Sequence, residues 1–139
     1  MKAKRGFEEF LVLRDIKIKN PAHERIAKLF YPYSYFVTGD RKLLPGLMGR
    51  LLGIDLSDTV TKTSCLNGIV DGSKDPLGDV DLYIRFENDV RIFIYGTEKP
   101  IENAALAENE YVLFVPGNNL AGKAKKIGHK RIYVLGEGG

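Results

Sequence analysis

Two aspartates separated by one residue, Asp79 and Asp81, are the side chains of this sequence best suited to hold a metal ion. Alternate residues of a β-strand point to the same face, so both carboxylates are predicted to reach one cation. Carboxylate oxygens are the ligands that hard cations such as Mg²⁺ prefer, and a metal-bound water is a strong nucleophile. The alternative is a hairpin edge whose acids simply face solvent.

A second group of chemically competent residues is basic. The cations that lie close together near the C-terminus are Lys123, Lys125, Lys126, Lys130 and Arg131, and His129 lies among them. Arg41 and Lys42 form a smaller pair. Clustered lysines and arginines are typical of proteins that neutralise backbone phosphates, so nucleic acid is the predicted partner. The alternative is a solvated basic face.

Residues 117–124 have the spacing of a phosphate-binding P-loop, between a predicted strand and a predicted helix. Such loops hold phosphates with backbone N–H groups at a helix N-terminus. Ala124 stands where Ser or Thr would bind Mg²⁺, which disfavours a nucleotide hydrolase. An Asn-rich turn and a loop that grips a nucleic-acid phosphate are the interpretations left open.

The hydrophobic pattern predicts a β-hairpin around the two aspartates. Its first strand alternates from Val80 to Phe86, a Glu-Asn-Asp turn follows, and residues 90–95 are nearly all apolar, as in a central strand. The other predicted strands cover residues 10–19, 33–38, a short stretch near Ile69, 111–115 and 131–135, and the predicted helices begin at Asn20-Pro21 and cover 101–107 and 120–127. These elements predict one α/β domain over residues 1–139, with a mixed central sheet of about five strands flanked by helices.

The segment from Arg41 to Gly53 is the most apolar stretch outside the hairpin. The apolar residues that recur there at helical spacing are Leu43, Leu44, Leu47, Met48, Leu51 and Leu52. A broken helix packed on the core is one interpretation. The other is an apolar surface, Leu43–Leu52, through which a non-enzymatic regulatory or viral protein would bind a protein partner or form a homodimer.

The order of the elements resembles that of the PD-(D/E)xK nuclease superfamily, and most nearly that of the archaeal Holliday-junction resolvases. A helix, a strand, an Asp-bearing hairpin and then helix-strand-helix-strand extend over residues 20–135, with an enlarged segment before the hairpin. The resemblance implies a restriction-endonuclease-like fold, a Mg²⁺ cofactor and cleavage of nucleic acid by an activated water.

The resemblance also implies roles for individual carboxylates. Glu24 stands for the family's helix glutamate, and Asp81 stands for the strand aspartate, or Asp79 if the register shifts by two. The alternative for Glu24 is an exposed ion pair with Lys28, four residues further along the same helix.

The family's Glu-x-Lys motif on the third strand is not reproduced. Tyr95-Gly96-Thr97 occupies its place, and Glu98 and Lys99 follow directly. Adjacent strand residues point to opposite faces, so a bulge at Gly96 is needed before Lys99 can assist the attacking water. The resemblance therefore implies either a divergent Mg²⁺-dependent endonuclease or an inactive descendant that has kept nucleic-acid binding.

Composition sets the remaining expectations. The net charge of +3 is segregated, because residues 1–50 carry +6, residues 51–110 carry −7 and residues 111–139 carry +4. Cys65 is the single cysteine, which fits a reducing compartment, and no apolar run is long enough to span a membrane, so a soluble cytoplasmic protein is expected. The chain has no Gln and no Trp and many charges, which favours a thermophilic source. The nuclease resemblance implies an archaeal source, and the interaction-protein alternative a viral one.

Overall fold

The computed structural model describes residues 6–18, 20–99, 104–128 and 130–136. The helices of the described chain lie in its first half: α1 (Phe7–Leu13), α2 (Pro21–Phe30), a 3-10 turn (Tyr31–Tyr33), α3 (Tyr35–Thr38) and α4 (Leu43–Leu52). The strands follow: β1 (Thr61–Leu66), β2 (Leu82–Phe86), β3 (Arg91–Tyr95), β4 (Glu110–Phe114), β5 (Lys125–Lys126) and β6 (Ile132–Val134). The described residues contain no helix long and apolar enough to cross a membrane.

The six strands form one mixed sheet in the order β1-β2-β3-β4-β6-β5. The first three strands are an antiparallel meander, in which Tyr83 of β2 lies opposite Phe93 of β3. Strand β4 is parallel to β3 and to β6, and β5 returns antiparallel to β6 at the far edge. The predicted α/β class, mixed sheet and late parallel pairing are therefore confirmed, with six strands instead of about five.

The two faces of the sheet are covered differently. Helices α2 and α4 pack on one face through buried residues such as Ile26, Met48 and Leu51. The other face is covered by the segments around Leu77 and Leu106, and none of the residues packed there belongs to a described helix. The prediction of helices on both faces is wrong for the described residues. The all-apolar run predicted to be central is central, since β3 lies inside the sheet with Ile92 to Tyr95 buried.

Local signals account for the ends of the two long helices. Asn20 accepts the backbone N–H of His23 at 3.0 Å and Pro21 is the first helical residue, which confirms the predicted start of α2. Helix α4 continues through its two internal glycines. Gly49 lies so close to the following loop that a Cβ would come within 2.9 Å of the Ile54 carbonyl, and Gly53 ends the helix with φ +66°.

Two predicted strands near the N-terminus are wrong. Residues 7–13 form α1. The ring of Phe10 packs against the rings of Tyr31 and Phe36, and its centre lies 5.9 and 6.0 Å from theirs. Residues 31–38 form the 3-10 turn and α3, whose N-terminus is capped by the Ser34 hydroxyl. These aromatic residues pack on one another, and helical turns bring them closer together than an extended strand would.

The remaining differences lie in the loops around the sheet. The strand predicted near Ile69 is β1, a few residues earlier. Residues 120–127 are not a helix: Ala124 donates its N–H to the Leu51 carbonyl of α4 at 2.8 Å, and Gly122 takes φ +76°. Of the helix predicted over 101–107, residues 104–107 are irregular and residues 101–103 lie outside the described part.

Candidate functional site

The carboxyl ends of the parallel strands β3 and β4 meet the first turn of α2, and a buried hydrogen-bonded centre lies there. His23 of α2 and Asp81, which precedes β2, are only 1% and 4% exposed. Nδ1 of His23 bonds Oδ1 of Asp81, and the Gly96 N–H donates to Oδ2 of Asp81 at 2.6 Å. Both carboxylate oxygens therefore already have protein donors.

Arg25, on the same helix, fixes the strand ends beneath that centre. Its guanidinium donates to the Val115 carbonyl at 2.8 Å and also bonds the carbonyls of Gly96 and Gly117. These carbonyls follow the last residues of β3 and β4. Arg25 therefore satisfies backbone acceptors that two parallel strands leave free where they end.

Asp79 lies at the solvent side of this centre. Its side chain is 75% exposed, and Oδ1 lies 3.7 Å from Nε2 of His23. The residue takes φ +58°, and β2 begins only at Leu82, so the prediction that Asp79 and Asp81 share one strand face is wrong. The structure nevertheless places both acids around one side chain, His23.

The two other residues assigned to the nuclease motif on this edge are placed differently. Lys99 bonds the Gly78 carbonyl, and its Nζ lies 4.6 Å above the ring of Tyr95, so it is next to the Asp79 loop. Glu98 is exposed and makes no ion pair with a described residue. Lys99, but not Glu98, therefore contacts the loop that carries Asp79.

Glu24 is beside His23 in sequence but turns away from the centre. Its Oε1 lies 3.4 Å from Nζ of Lys28, and both side chains are about half exposed. This is the simple ion pair that the four-residue spacing allows.

The Mg²⁺ ion expected at Asp79 and Asp81 stays a prediction. Both oxygens of Asp81 already accept bonds from His23 and Gly96, so a cation would have to share these oxygens with protein donors. Among the described residues, no group of three or more His, Cys, Asp or Glu side chains is arranged to hold a metal ion.

Tyrosines from β2 and β3 hold the loop that carries the two aspartates. Tyr95 donates its hydroxyl to Asp75, which also accepts the N–H groups of Gly78 and Val80 at 2.8 Å. Burial raises the pKa of the Tyr95 hydroxyl, and the bond to Asp75 adds to the shift. The loop before Asp81 is therefore tied to the strand that supplies Gly96.

Asp71 is a second carboxylate anchor of the same loop. It accepts the Tyr83 hydroxyl and an Arg85 N–H at 3.2 Å. Burial opposes ionisation of Asp71, but bonds from Tyr83, Ser73 and Arg85 outweigh it and hold the pKa of this carboxyl well below its usual range. Burial, followed by the bond to Asp71, raises the pKa of Tyr83 to about 12.

Replacing Asp71 with Asn is expected to destabilise the protein by about 1 kcal/mol at pH 7, since the charge-assisted bonds are lost in a partly solvated place. The native pKa of Asp71 is lowered, so its contribution is complete above the unfolded pKa of about 3.9 and declines as pH falls below it. Urea unfolding at neutral and acidic pH tests this: the two proteins should converge in acid. Asp58→Asn, at an exposed aspartate, should show no such convergence.

The basic residues near the C-terminus form an exposed edge of the sheet, which we call the basic edge: Lys123, Lys125, Lys126 and Lys130. Lys125 and Lys126 form β5, which is an edge strand of the sheet. Lys123 lies two residues before β5, and Lys130 lies two residues before β6. None of the four forms an ion pair with a described residue, and residues 111–136 contain no Asp or Glu. His129 lies outside the described residues.

The other predicted phosphate-binding cations have structural partners. Arg131 donates to the carbonyls of Glu110 and Ala107 at 3.0 and 2.7 Å. Arg41 donates to the Thr61 carbonyl at 2.9 Å and lies 3.4 Å from Glu87, and Lys42 donates to the Ser57 carbonyl at 3.1 Å. Arg131 and Arg41 tie loops to the sheet, and Lys42 ties the start of α4 to the loop that follows this helix.

The P-loop-like turn lacks the helix that such a loop needs. Residues 117–124 run across the end of α4, where Arg50 donates to the carbonyls of Leu120 and Gly122 at 2.8 Å each. The helix N-terminus that would complete a phosphate cradle is therefore not formed.

The apolar residues of the Leu43–Leu52 segment are mostly inside the protein. Leu44, Leu47, Met48 and Leu51 are at most 5% exposed and belong to the core on the α2 side of the sheet. Of the two interpretations of this segment, the helix packed on the core is the one that these positions match.

His23 and Arg25 are the residues of this centre that the sequence did not indicate. The predicted start of α2 placed His23 in the first helical turn, which is the one signal that bore on it. Asp81, the partner of His23, is 58 positions away along the chain. The acceptors of Arg25 are backbone carbonyls, which every residue has, so the sequence cannot identify them.

No model of a known protein family matches this chain, and comparisons with curated proteins and with solved structures give no significant match either.

Proposed function

We propose that the protein binds nucleic acid through the basic edge. The observation that carries this proposal is the set of four exposed lysines on one sheet edge, in a part of the chain free of acidic residues. Nucleic acid carries condensed cations, which lysines without ion-pair partners are free to displace from the phosphates, and the release of these counterions drives phosphate binding.

The local geometry supports contacts with a backbone on both sides of the edge. Lys125 and Lys126 are adjacent on β5, so their side chains point to opposite faces, and β5 is paired only with β6. Lysines on an edge strand also prevent pairing with another sheet. This purely structural role is the alternative explanation for Lys125 and Lys126.

The proposal is for binding without cleavage. The nuclease resemblance implies a Mg²⁺ ion at Asp79 and Asp81, but Asp81 has both oxygens engaged, Glu24 pairs with Lys28, and Glu98 points to solvent. Incubating plasmid, branched and single-stranded DNA with Mg²⁺ or Mn²⁺ tests this part. Cleavage that disappears in Asp79→Asn would contradict it, because Asp79 is exposed and can be replaced without disturbing the fold.

Replacing both β5 lysines, Lys125→Gln/Lys126→Gln, is expected to weaken duplex DNA binding and to lower the salt slope of the affinity by about two, one for each lost phosphate contact. Fluorescence anisotropy over a range of salt concentrations measures both quantities. The effect should be similar for unrelated sequences, since phosphate contacts do not read bases.

Lys62→Gln is the matched control, because Lys62 is an exposed lysine on β1, the strand at the opposite edge of the sheet. Its affinity and salt slope should equal those of the wild type. Equal losses in the control and the β5 variant would show a diffuse charge effect and contradict the basic edge, as would wild-type protein that binds no nucleic acid at low salt.

A further inference from the structure

A groove runs along β1 on the side of the sheet opposite the basic edge. It has a volume of about 580 Å³ and lies between β1 and the segment that connects α1 to α2. Its walls include β1 from Lys62 to Leu66 and the residues from Arg14 to Lys17. Asn67 closes one end by donating its side-chain N–H to the Lys17 carbonyl at 2.7 Å. We call this space the β1 groove.

Beyond Thr61, whose N–H and C=O bond Arg41, the outer edge of the strand that borders the β1 groove has no strand partner among the described residues. Strand β1 pairs only with β2, in a register that sets Cys65 opposite Tyr83, and the Asn67 N–H continues that ladder to the Asp81 carbonyl at 3.0 Å. Hydrogen bonding alternates along an antiparallel strand, so Ser64 and Leu66, on either side of Cys65, direct their N–H and C=O groups away from β2. An extended peptide laid in the groove could therefore add a strand to the sheet.

The floor of the groove is apolar, and side chains of the core on the α2 side of the sheet form it. Phe30, Leu44 and Leu82 form its deep side, while Tyr35 and Val70, which are 39% and 62% exposed, lie at its opening. Burial raises the pKa of the Cys65 thiol, against a smaller opposing effect of Arg14, so this side chain adds a neutral, weakly polar wall. Apolar floor and polar strand edge are the two features that strand-adding sites combine.

The rim carries a net positive charge. Arg14, Lys17 and Lys62 are exposed and form no ion pair with a described residue, and Asp15 is the single acid among the lining residues. Among the lining residues, Asn67 has a buried side-chain oxygen, Oδ1, that accepts no hydrogen bond from a described residue.

We propose that the β1 groove binds an extended acidic segment of a partner protein by strand addition to β1. Charge complementarity selects this occupant. Two copies of this chain joined through β1 would bring two cationic rims together, and residues 1–5 of the chain itself carry three positive charges and no acid. A peptide with glutamates or aspartates beside a β-prone centre matches the free edge, the apolar floor and the rim.

Titration of a labelled synthetic peptide, with alternating valine and threonine flanked by glutamates, tests the proposal by fluorescence anisotropy. Saturable binding is expected for this peptide. Binding should fall steeply when lysines replace its glutamates, and also when prolines replace central residues, because proline cannot donate to the strand ladder. The variant Arg14→Glu/Lys62→Glu should weaken binding about tenfold, since two attractions become repulsions at exposed positions.

A backbone variant separates strand addition from charge attraction alone. Ser64→Pro removes an N–H that faces away from β2, so the sheet should fold as before, with an unchanged circular dichroism spectrum and melting temperature, while peptide binding is lost. If Ser64→Pro disturbs the fold, the proline-bearing peptide makes the same comparison with wild-type protein.

Several outcomes would overturn the proposal: no saturable binding of the acidic peptide, equal binding of the lysine peptide, or equal binding of the proline peptide. Dimerisation of the free protein that Ser64→Pro abolishes would identify a second copy as the occupant instead. Loss of DNA affinity in Arg14→Glu/Lys62→Glu would make the rim part of the nucleic-acid surface. The basic-edge variant Lys125→Gln/Lys126→Gln should bind the peptide normally, so the two proposals can fail separately.

Discussion

Replacing Asp81 with Ala should destabilise the protein by about 3–5 kcal/mol, although the nuclease resemblance would make this aspartate a catalytic residue. The substitution leaves the buried His23 Nδ1 and the Gly96 N–H without their acceptor. Breaking one side of a buried, hydrogen-bonded pair costs this much because the remaining polar groups stay away from water. Urea unfolding followed by circular dichroism measures the change in the free energy of unfolding.

Asp79→Asn is the matched control two residues earlier. Its side chain is 75% exposed and lies 3.7 Å from His23, so the expected loss is below about 0.5 kcal/mol. A double-mutant cycle with His23→Ala isolates the pair, and the two single losses should exceed the combined loss by roughly 1–3 kcal/mol. Equal stability of the Asp81→Ala and Asp79→Asn proteins, or strict additivity, would show that the buried pair does not stabilise the fold.

The contrast between these two aspartates shows how far the sequence determines the candidate site. The alternation from Val80 to Phe86 and the apolar run up to Tyr95 predicted the hairpin, because strand faces are a local property of the chain. The positions of Asp79 and Asp81 before the strand depend on the bonds of Asp75 to backbone N–H groups and to Tyr95, which come from the folded loop. A period-two pattern cannot show that the strand starts only at Leu82.

The predicted helices also show the difference between local and tertiary causes. The Asn20-Pro21 start of α2 is a local signal, and the predicted start is confirmed. The segment over residues 120–127 has helical composition, but its backbone bonds go to α4 and to β6, as the Ala124 and Ile127 N–H groups show. Tertiary hydrogen bonds of this kind override helix propensity, which is worth only tenths of a kcal/mol per residue.

The sequence predicted that basic residues cluster near the C-terminus, but it could not predict which surface of the fold they form. The sequence placed its lysines on a helix, whereas they lie on and around β5, at an edge of the sheet. Arg131, Arg41 and Lys42 belong to the same compositional class and yet donate to backbone carbonyls. Charge alone does not distinguish a cation that binds a partner from one that holds a loop, because that difference depends on which acceptors the fold brings near.

Replacing Leu47 with Asp should unfold the protein or cost more than about 4 kcal/mol, because it places a carboxylate without a partner in the core. Leu47 is 5% exposed and packs in the cluster that joins α4 to α2 and the sheet. Total stabilities of small domains are about 5–15 kcal/mol, so this loss removes a large share of the stability and should lower the melting temperature sharply. Thermal unfolding and size-exclusion chromatography together measure the outcome.

Gly46→Asp supplies the control, since Gly46 is the preceding residue of α4, is exposed, and has open space where a Cβ would be added. Its carboxylate stays in water, and replacing a helical glycine offsets the lower propensity of Asp, so stability should change by less than about 1 kcal/mol. A folded Leu47→Asp protein that has lost a partner or halved its mass would restore the Leu43–Leu52 surface as an interface. Loss of folding in Leu47→Asp alone would assign these leucines to the core and leave the β1 groove and the basic edge as the two proposed binding surfaces.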